Sequence, residues 1–168
     1  SEWNRITLEA IALAGVAPTF ASRALAMQSL AVYNALAAID GTSGYLFNAA
    51  PSPGASAAAA IAQASHDILV HLFPAQRVTF DSLLAQALAS LPAGSGTNGG
   101  VGLGAGVAAR VIELREGDGW STVVVDTGSD ADGSWRPTGP MFAPALDAQW
   151  ATLTPFTLTQ PSQFLPAA

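Results

Sequence analysis

"GTNGGVGLGAGVAARVIELREGDG", residues 96–119, admits two readings that lead to different proteins. Six of its first eleven residues are glycine, and an apolar pattern follows. A dinucleotide-binding loop follows a strand and opens a helix, and Gly100-Val-Gly102-x-x-Ala105 fits that spacing loosely. The residues before it, Leu83–Leu91, carry a helical pattern that stops at Pro92, so no strand precedes the glycines. A phosphate-binding P-loop needs a lysine, and this chain has none. Val101, Val107, Ala108, Val111, Ile112 and Leu114 continue at helical spacing into Arg115. The stretch reads as a helix. Each glycine inside it costs about 1 kcal/mol relative to alanine, which calls for a packing reason. Gly102 and Gly106, four residues apart, share a face and are expected to let a neighbouring helix approach closely.

The residues on the amino-terminal side carry the same helical signature, separated by Pro and Gly. A helix is expected from a Ser1 cap to about Ala14, with Trp3, Ile6, Ala10 and Leu13 on one face and Gly15 as its stop. Pro18 opens a long second helix to Asp40, with Phe20, Leu25, Leu36 and Ile39 as expected core. Asp40–Ser56 reads as a loop. Ser56 caps a third helix reaching Phe73, with Ile61, Ile68, Leu69 and Leu72 as its apolar stripe. Pro74 opens a fourth, in which Phe80, Leu84 and Leu88 recur at fours. After residue 117 the periodicity dissolves, and six of the eleven prolines crowd Pro137–Pro166. The expected fold is therefore all-α: a bundle of five main helices over residues 1–117, then an extended arm rich in proline and aromatics over 118–168. Trp120, Trp135, Phe142, Trp150, Phe156 and Phe164 are the expected anchors of that arm on the bundle. One short strand is permitted in the β-branched run Ser121–Gly128.

Composition removes several function classes. A net charge of −6 disfavours binding to nucleic-acid phosphates. Without cysteine there is no disulfide, thiol nucleophile or thiolate metal ligand. All six basic residues are arginine, which excludes Schiff-base chemistry and lysine general bases. The longest uncharged stretches, Gly41–Ser65 and Ser82–Ala109, are broken by Pro and Gly, so no membrane span is expected. Ser1–Arg5 does not resemble the basic start of a signal peptide; with a leader already removed, the reading leans to a secreted or periplasmic chain.

Individual residues offer little catalytic chemistry. His66 and His71, five apart on a helix, point about 140° away from each other and cannot chelate one metal together. Asp67 and His71 are spaced to pair as surface charges. Asp126–Ser134, "DTGSDADGS", has the look of a calcium loop, yet Gly128 and Gly139 stand where its first ligand and final glutamate belong, so it reads as an acidic turn. Ser43 in "GTSGY" lacks the G-x-S-x-G pattern of a nucleophile elbow. Asn4 and Arg5, beside Trp3, are expected to tie the first helix to the core through a buried arginine. No catalytic, cofactor-binding or metal residue is assigned in this chain.

Several segments together resemble a known family. "WNRITLEAI" at Trp3–Ile11, "ASRALAMQSLAVYNALAAIDG" at Ala21–Gly41, "FPAQR" at Phe73–Arg77, "GDG" at Gly117–Gly119 and "WRPT…FAPAL…W…TPFTL…PSQF" at Trp135–Phe164 resemble bacterial vanadium-dependent haloperoxidase-like proteins, of the superfamily that includes the type 2 phosphatidic acid phosphatases. The resemblance covers nearly the whole chain and matches the family's amino-terminal half. It implies an all-helical scaffold for a second half that holds vanadate or phosphate, and peroxide-dependent halide oxidation or phosphate-ester hydrolysis as the reaction. The family's anion site uses a lysine followed seven residues later by Arg-Pro, a Pro-Ser-Gly-His segment, and an arginine before a metal-bound histidine. Here Ser129 stands seven residues before Arg136, and there is neither lysine nor Ser-Gly-His. The expected partner is thus a complementary carboxy-terminal catalytic half carrying the vanadate, or another copy in a homo-oligomer. The rival reading, from another class, is a non-catalytic helical module that self-associates or binds a partner protein through an uncovered face.

Overall fold

The computed structural model describes residues 2–166. Its five α-helices are α1 (Glu2–Ala14), α2 (Pro18–Asp40), α3 (Ala57–Leu72), α4 (Arg77–Ala89) and α5 (Ser95–Glu116), with no strand among the described residues. The all-α expectation holds. The chain divides after Glu116 into two compact units.

In the helical unit, punctuation residues set the ends of the elements. Gly15 takes a left-handed φ of 60° and its N–H reaches the Ile11 carbonyl, which stops α1. Pro18 stands in the first turn of α2, and Gly41, with φ 69°, closes it by donating to the Ala37 carbonyl. Ser56 caps α3, its hydroxyl accepting from the Ala59 N–H at 3.3 Å. Pro74 starts a single 3-10 turn, Pro74–Gln76, that leads into α4. The proposed Ser1 cap lies outside the described residues.

α3 is the central helix and packs against α5, α2 and α4. Its line of alanines, with Ala59, Ala60, Ala62 and Ala64 all buried, allows neighbours to come near. α5 uses this. A Cβ placed on Gly104 would lie 2.5 Å from the Ala60 carbonyl oxygen and 2.9 Å from the Ala64 nitrogen, and one on Gly100 would lie 2.9 Å from the Ala59 Cβ. The buried stripe of α5 is Gly100, Gly104, Val107, Ala108, Val111 and Arg115. A Cβ on Gly102 or Gly106, the pair expected at the close approach, would meet no atom of another element within 4 Å. Two residues of helix turn by about 200°, so the even-spaced glycines divide between opposite faces. The packing reason exists, one face away from where it was expected.

A second cluster joins α1, α3 and α4: Trp3, Ile6, Ala10, Leu69, Phe73 and Phe80 are buried together, with Ala24 of α2 and Ala62. Phe20 meets Phe73 edge to face at a centroid distance of 6.0 Å. Two expected core sets need correction. Leu13 is 78% exposed, although Ile11 and Val16 on either side of it pack against the cluster. In α2 the residues Phe20, Leu25, Leu36 and Ile39 are only half-buried, while Ala24, Met27, Leu30, Ala31, Ala35, Ala37 and Ala38 form the inner face. Tight helix contacts select small side chains there, and the larger ones take the margins.

Among the described residues the second unit has no α-helix. It consists of turns and one 3-10 helix, Ala148–Thr152. It doubles back on itself: the Thr154 N–H donates to the Asp118 carbonyl at 2.8 Å, and the Gln149 amide donates to the Trp120 carbonyl at 3.1 Å. The aromatic residues expected to anchor it divide otherwise. Trp150 and Phe156 are half-buried, whereas Trp120, Trp135, Phe142 and Phe164 are exposed. The permitted strand over 121–128 is absent, and Val123, Val124 and Val125 are exposed, since no neighbouring backbone pairs with them as a sheet.

Candidate functional site

Two features of the helical unit carry chemistry or shape beyond packing. The first is His66, buried on α3 and held between two carboxylates. Its Nδ1 lies 2.7 Å from Asp67 Oδ1 and its Nε2 lies 2.7 Å from Asp81 Oδ1 on α4. Asp67 Oδ1 also accepts from Gln63 Nε2 at 2.8 Å. The Asp67 hydrogen bond raises the His66 pKa above 6.5; burial opposes it, and the Asp81 hydrogen bond adds to the rise. A catalytic imidazole needs one nitrogen turned to a substrate. Here both nitrogens are taken, so the cluster is a tie between helices. Asp67 was expected to pair with His71. Instead it turns to His66 and Gln63, and His71 lies exposed. The partner on α4 decides this, and Asp81 is fifteen residues away in sequence.

The second feature is a groove of about 570 Å³ along the outer face of α5. Gly102 and Gly106 form its floor, Leu103, Val107 and Arg110 continue it, and the loop residues Phe47, Asn48, Ala49, Ala50 and Ser52 form the facing wall. Buried Asn34 of α2 holds that loop. Its side-chain amide donates to the Leu30 and Tyr45 carbonyls at 3.0 and 3.1 Å, and its Oδ1 accepts from the Tyr45 N–H at 2.8 Å. Gly44 packs so closely on Asn34 Oδ1 and the Phe47 carbonyl that a side chain there would collide with both. Arg110, at the groove's end, pairs with Glu113 at 2.6 Å.

The remaining sequence candidates fall elsewhere. Ser43 only offers its carbonyl to the Tyr33 hydroxyl at 3.2 Å. In the Asp126–Ser134 turn, Asp126 Oδ1 accepts from the Gly128 N–H at 2.8 Å, the mark of a side-chain-closed turn. Among the described residues no three His, Asp or Glu side chains gather as a metal site. Arg5 is not a buried tie: it is exposed and pairs with Glu2 and Glu9 on its own helix. Gln76 makes the hydrogen bond that joins α1 to the 3-10 turn, donating to the Ala10 carbonyl at 3.0 Å. Arg23, buried like Arg115, is an arginine that sequence reasoning passed over. Its Nη2 donates to the Arg115 carbonyl at 2.8 Å and so links α2 to the carboxy-terminal end of α5. Its signal was an arginine set among alanines in "ASRALA", on the small-residue face.

Among the described residues no helix is long and apolar enough to cross a membrane. No family model matches the chain, and neither a curated protein nor a solved structure is found similar to it.

Proposed function

We propose that this chain is the scaffolding, amino-terminal half of a vanadium-dependent haloperoxidase-like enzyme, and that a complementary half carries the vanadate or phosphate site. The observation that supports this is the open groove on α5. Gly102 and Gly106 each cost the helix about 1 kcal/mol against alanine and meet no atom in return. Glycines on the other face of the same helix admit α3, and a helix of the complementary half would use the groove in the same way. The segments resembling the family run in the family's order along both units, which adds to the reading. Chemistry in the assembled enzyme needs several cationic donors converging on one anion, and the complementary half brings them as its lysine, arginines and Ser-Gly-His segment.

The test is co-expression with a polypeptide that contains Lys-x6-Arg-Pro and Ser-Gly-His, encoded in the same frame or a neighbouring one. The two are expected to co-purify and, with vanadate, to oxidise bromide with peroxide, while this chain alone does neither step. A monomeric preparation of this chain that turns over peroxide and bromide after vanadate addition overturns the proposal. A complex that forms yet neither oxidises halide nor hydrolyses phosphate esters returns the chain to the rival class, a non-catalytic interaction module.

A further inference from the structure

Both ring nitrogens of His66 face carboxylate oxygens at 2.7 Å, one on its own helix and one on α4. A neutral imidazole has one N–H and one lone pair, whereas the imidazolium has two donors. Only the charged ring can satisfy Asp67 and Asp81 together. We propose that His66 is a pH-operated clasp that holds α4 against α3, closed as the imidazolium and opened on its Asp81 side by deprotonation.

The side that opens follows from how each carboxylate is anchored. Asp67 is the next residue of α3, is 29% exposed and is held in place by Gln63. Asp81 belongs to the other helix and its side chain is 50% exposed, so it can turn to water. Once the ring is neutral, Nδ1–H stays on Asp67 and the Nε2 lone pair faces an Asp81 oxygen. Lone pair then opposes lone pair at hydrogen-bonding distance, and the contact is lost. α4 also has the fewest buried residues of the five helices among those described. Phe80 is its one buried residue among those described, with Leu83, Leu84 and Ala87 partly buried beside the cluster. An element with so few buried apolar side chains lies at the low end of local stability.

The ionisable groups acting on His66 among the described residues are these two carboxylates, Asp67 from α3 and Asp81 from α4; α1, α2, α5 and the 3-10 turn bring no other. Because the folded pKa is raised above 6.5, the clasp contributes fully below pH 6.5. Its contribution is lost as pH rises through the folded value.

Amide hydrogen exchange of the full chain, with a parallel NMR titration of His66, tests the clasp. His66 is expected to titrate above pH 6.5. Across the His66 transition, protection of the Arg77–Ala89 amides is expected to fall about three- to tenfold relative to those of α3. Asp81→Asn can donate to the neutral ring, so its α4 protection is expected to stay level over the same range. Wild-type α4 protection that keeps pace with α3 while His66 titrates overturns the proposal, whether or not the variant folds. So does an Asp81→Asn protein that keeps the wild-type pH dependence.

Discussion

Gly104 and Gly106 lie two residues apart in one helix and meet opposite surroundings. A methyl on Gly104 would collide with backbone atoms of Ala60 and Ala64, and backbone cannot step aside without moving α3. Gly104→Ala is therefore expected to cost about 1–3 kcal/mol. Gly106→Ala meets nothing and removes a poor helix former, so it is expected to stabilise by up to about 1 kcal/mol. Denaturant titration of both variants checks the pair. Equal effects, or the opposite order, would mean that α5 presents a different face to α3. The sequence showed that glycine at four-residue spacing needs a packing reason. It could not show which pair has one, because 100, 104 and 102, 106 have the same period and differ only in phase. Arg5 and Arg23 make the same point for charge: each stands in a helix near apolar residues, and only the neighbouring helices decide which is buried.

At the scale of elements, local chemistry was legible wherever a residue acts on its own backbone. Ser56, Pro18, Gly15 and Gly41 mark helix ends through caps, a fixed φ or a left-handed turn, and these need no distant partner. Ser56→Ala is expected to cost about 1 kcal/mol by losing the bond to the Ala59 N–H, read from the unfolding midpoint. The loop over residues 41–56 is a different case, since its order depends on Asn34 reaching out from α2. Asn34→Ala removes partners from both backbone groups of Tyr45 and is expected to cost about 1–3 kcal/mol. Limited proteolysis should then cut first within this loop; unchanged cleavage would show that the loop is held by other contacts. Nothing in the sequence marked Asn34 for that role, because a buried asparagine in mid-helix looks the same as an exposed one.

For the whole molecule, the groove and the assembly it is proposed to serve can be separated from stability by one variant. Gly106→Leu adds a side chain at the floor of the groove, where a Cβ meets no atom within 4 Å. Leucine, like alanine, is a better helix former than glycine, so the variant is expected to be at least as stable as the parent by its unfolding midpoint, with a gain of up to about 1 kcal/mol. Co-purification with the complementary half is expected to fail. Full retention of the complex would place the complementary half on another surface. A large loss of stability instead would mean that the Gly106 face is already covered.

The sequence by itself determined the all-helical class, the five helices and the ends set by Gly15, Pro18, Gly41 and Ser56, the chemistry excluded by the absence of lysine and cysteine, and the irregular character of the segment after residue 117. These depend on composition, on period, and on residues within one helical turn of each other. Tertiary structure alone decided the phase of α5, the inner face of α2, the exposure of four expected aromatic anchors and the choice of His66 over His71 as the partner of Asp67. Each of these depends on which side of an element another element covers. A helical period specifies that a buried face exists, but its direction is set by backbone atoms many residues away, and no local pattern records it.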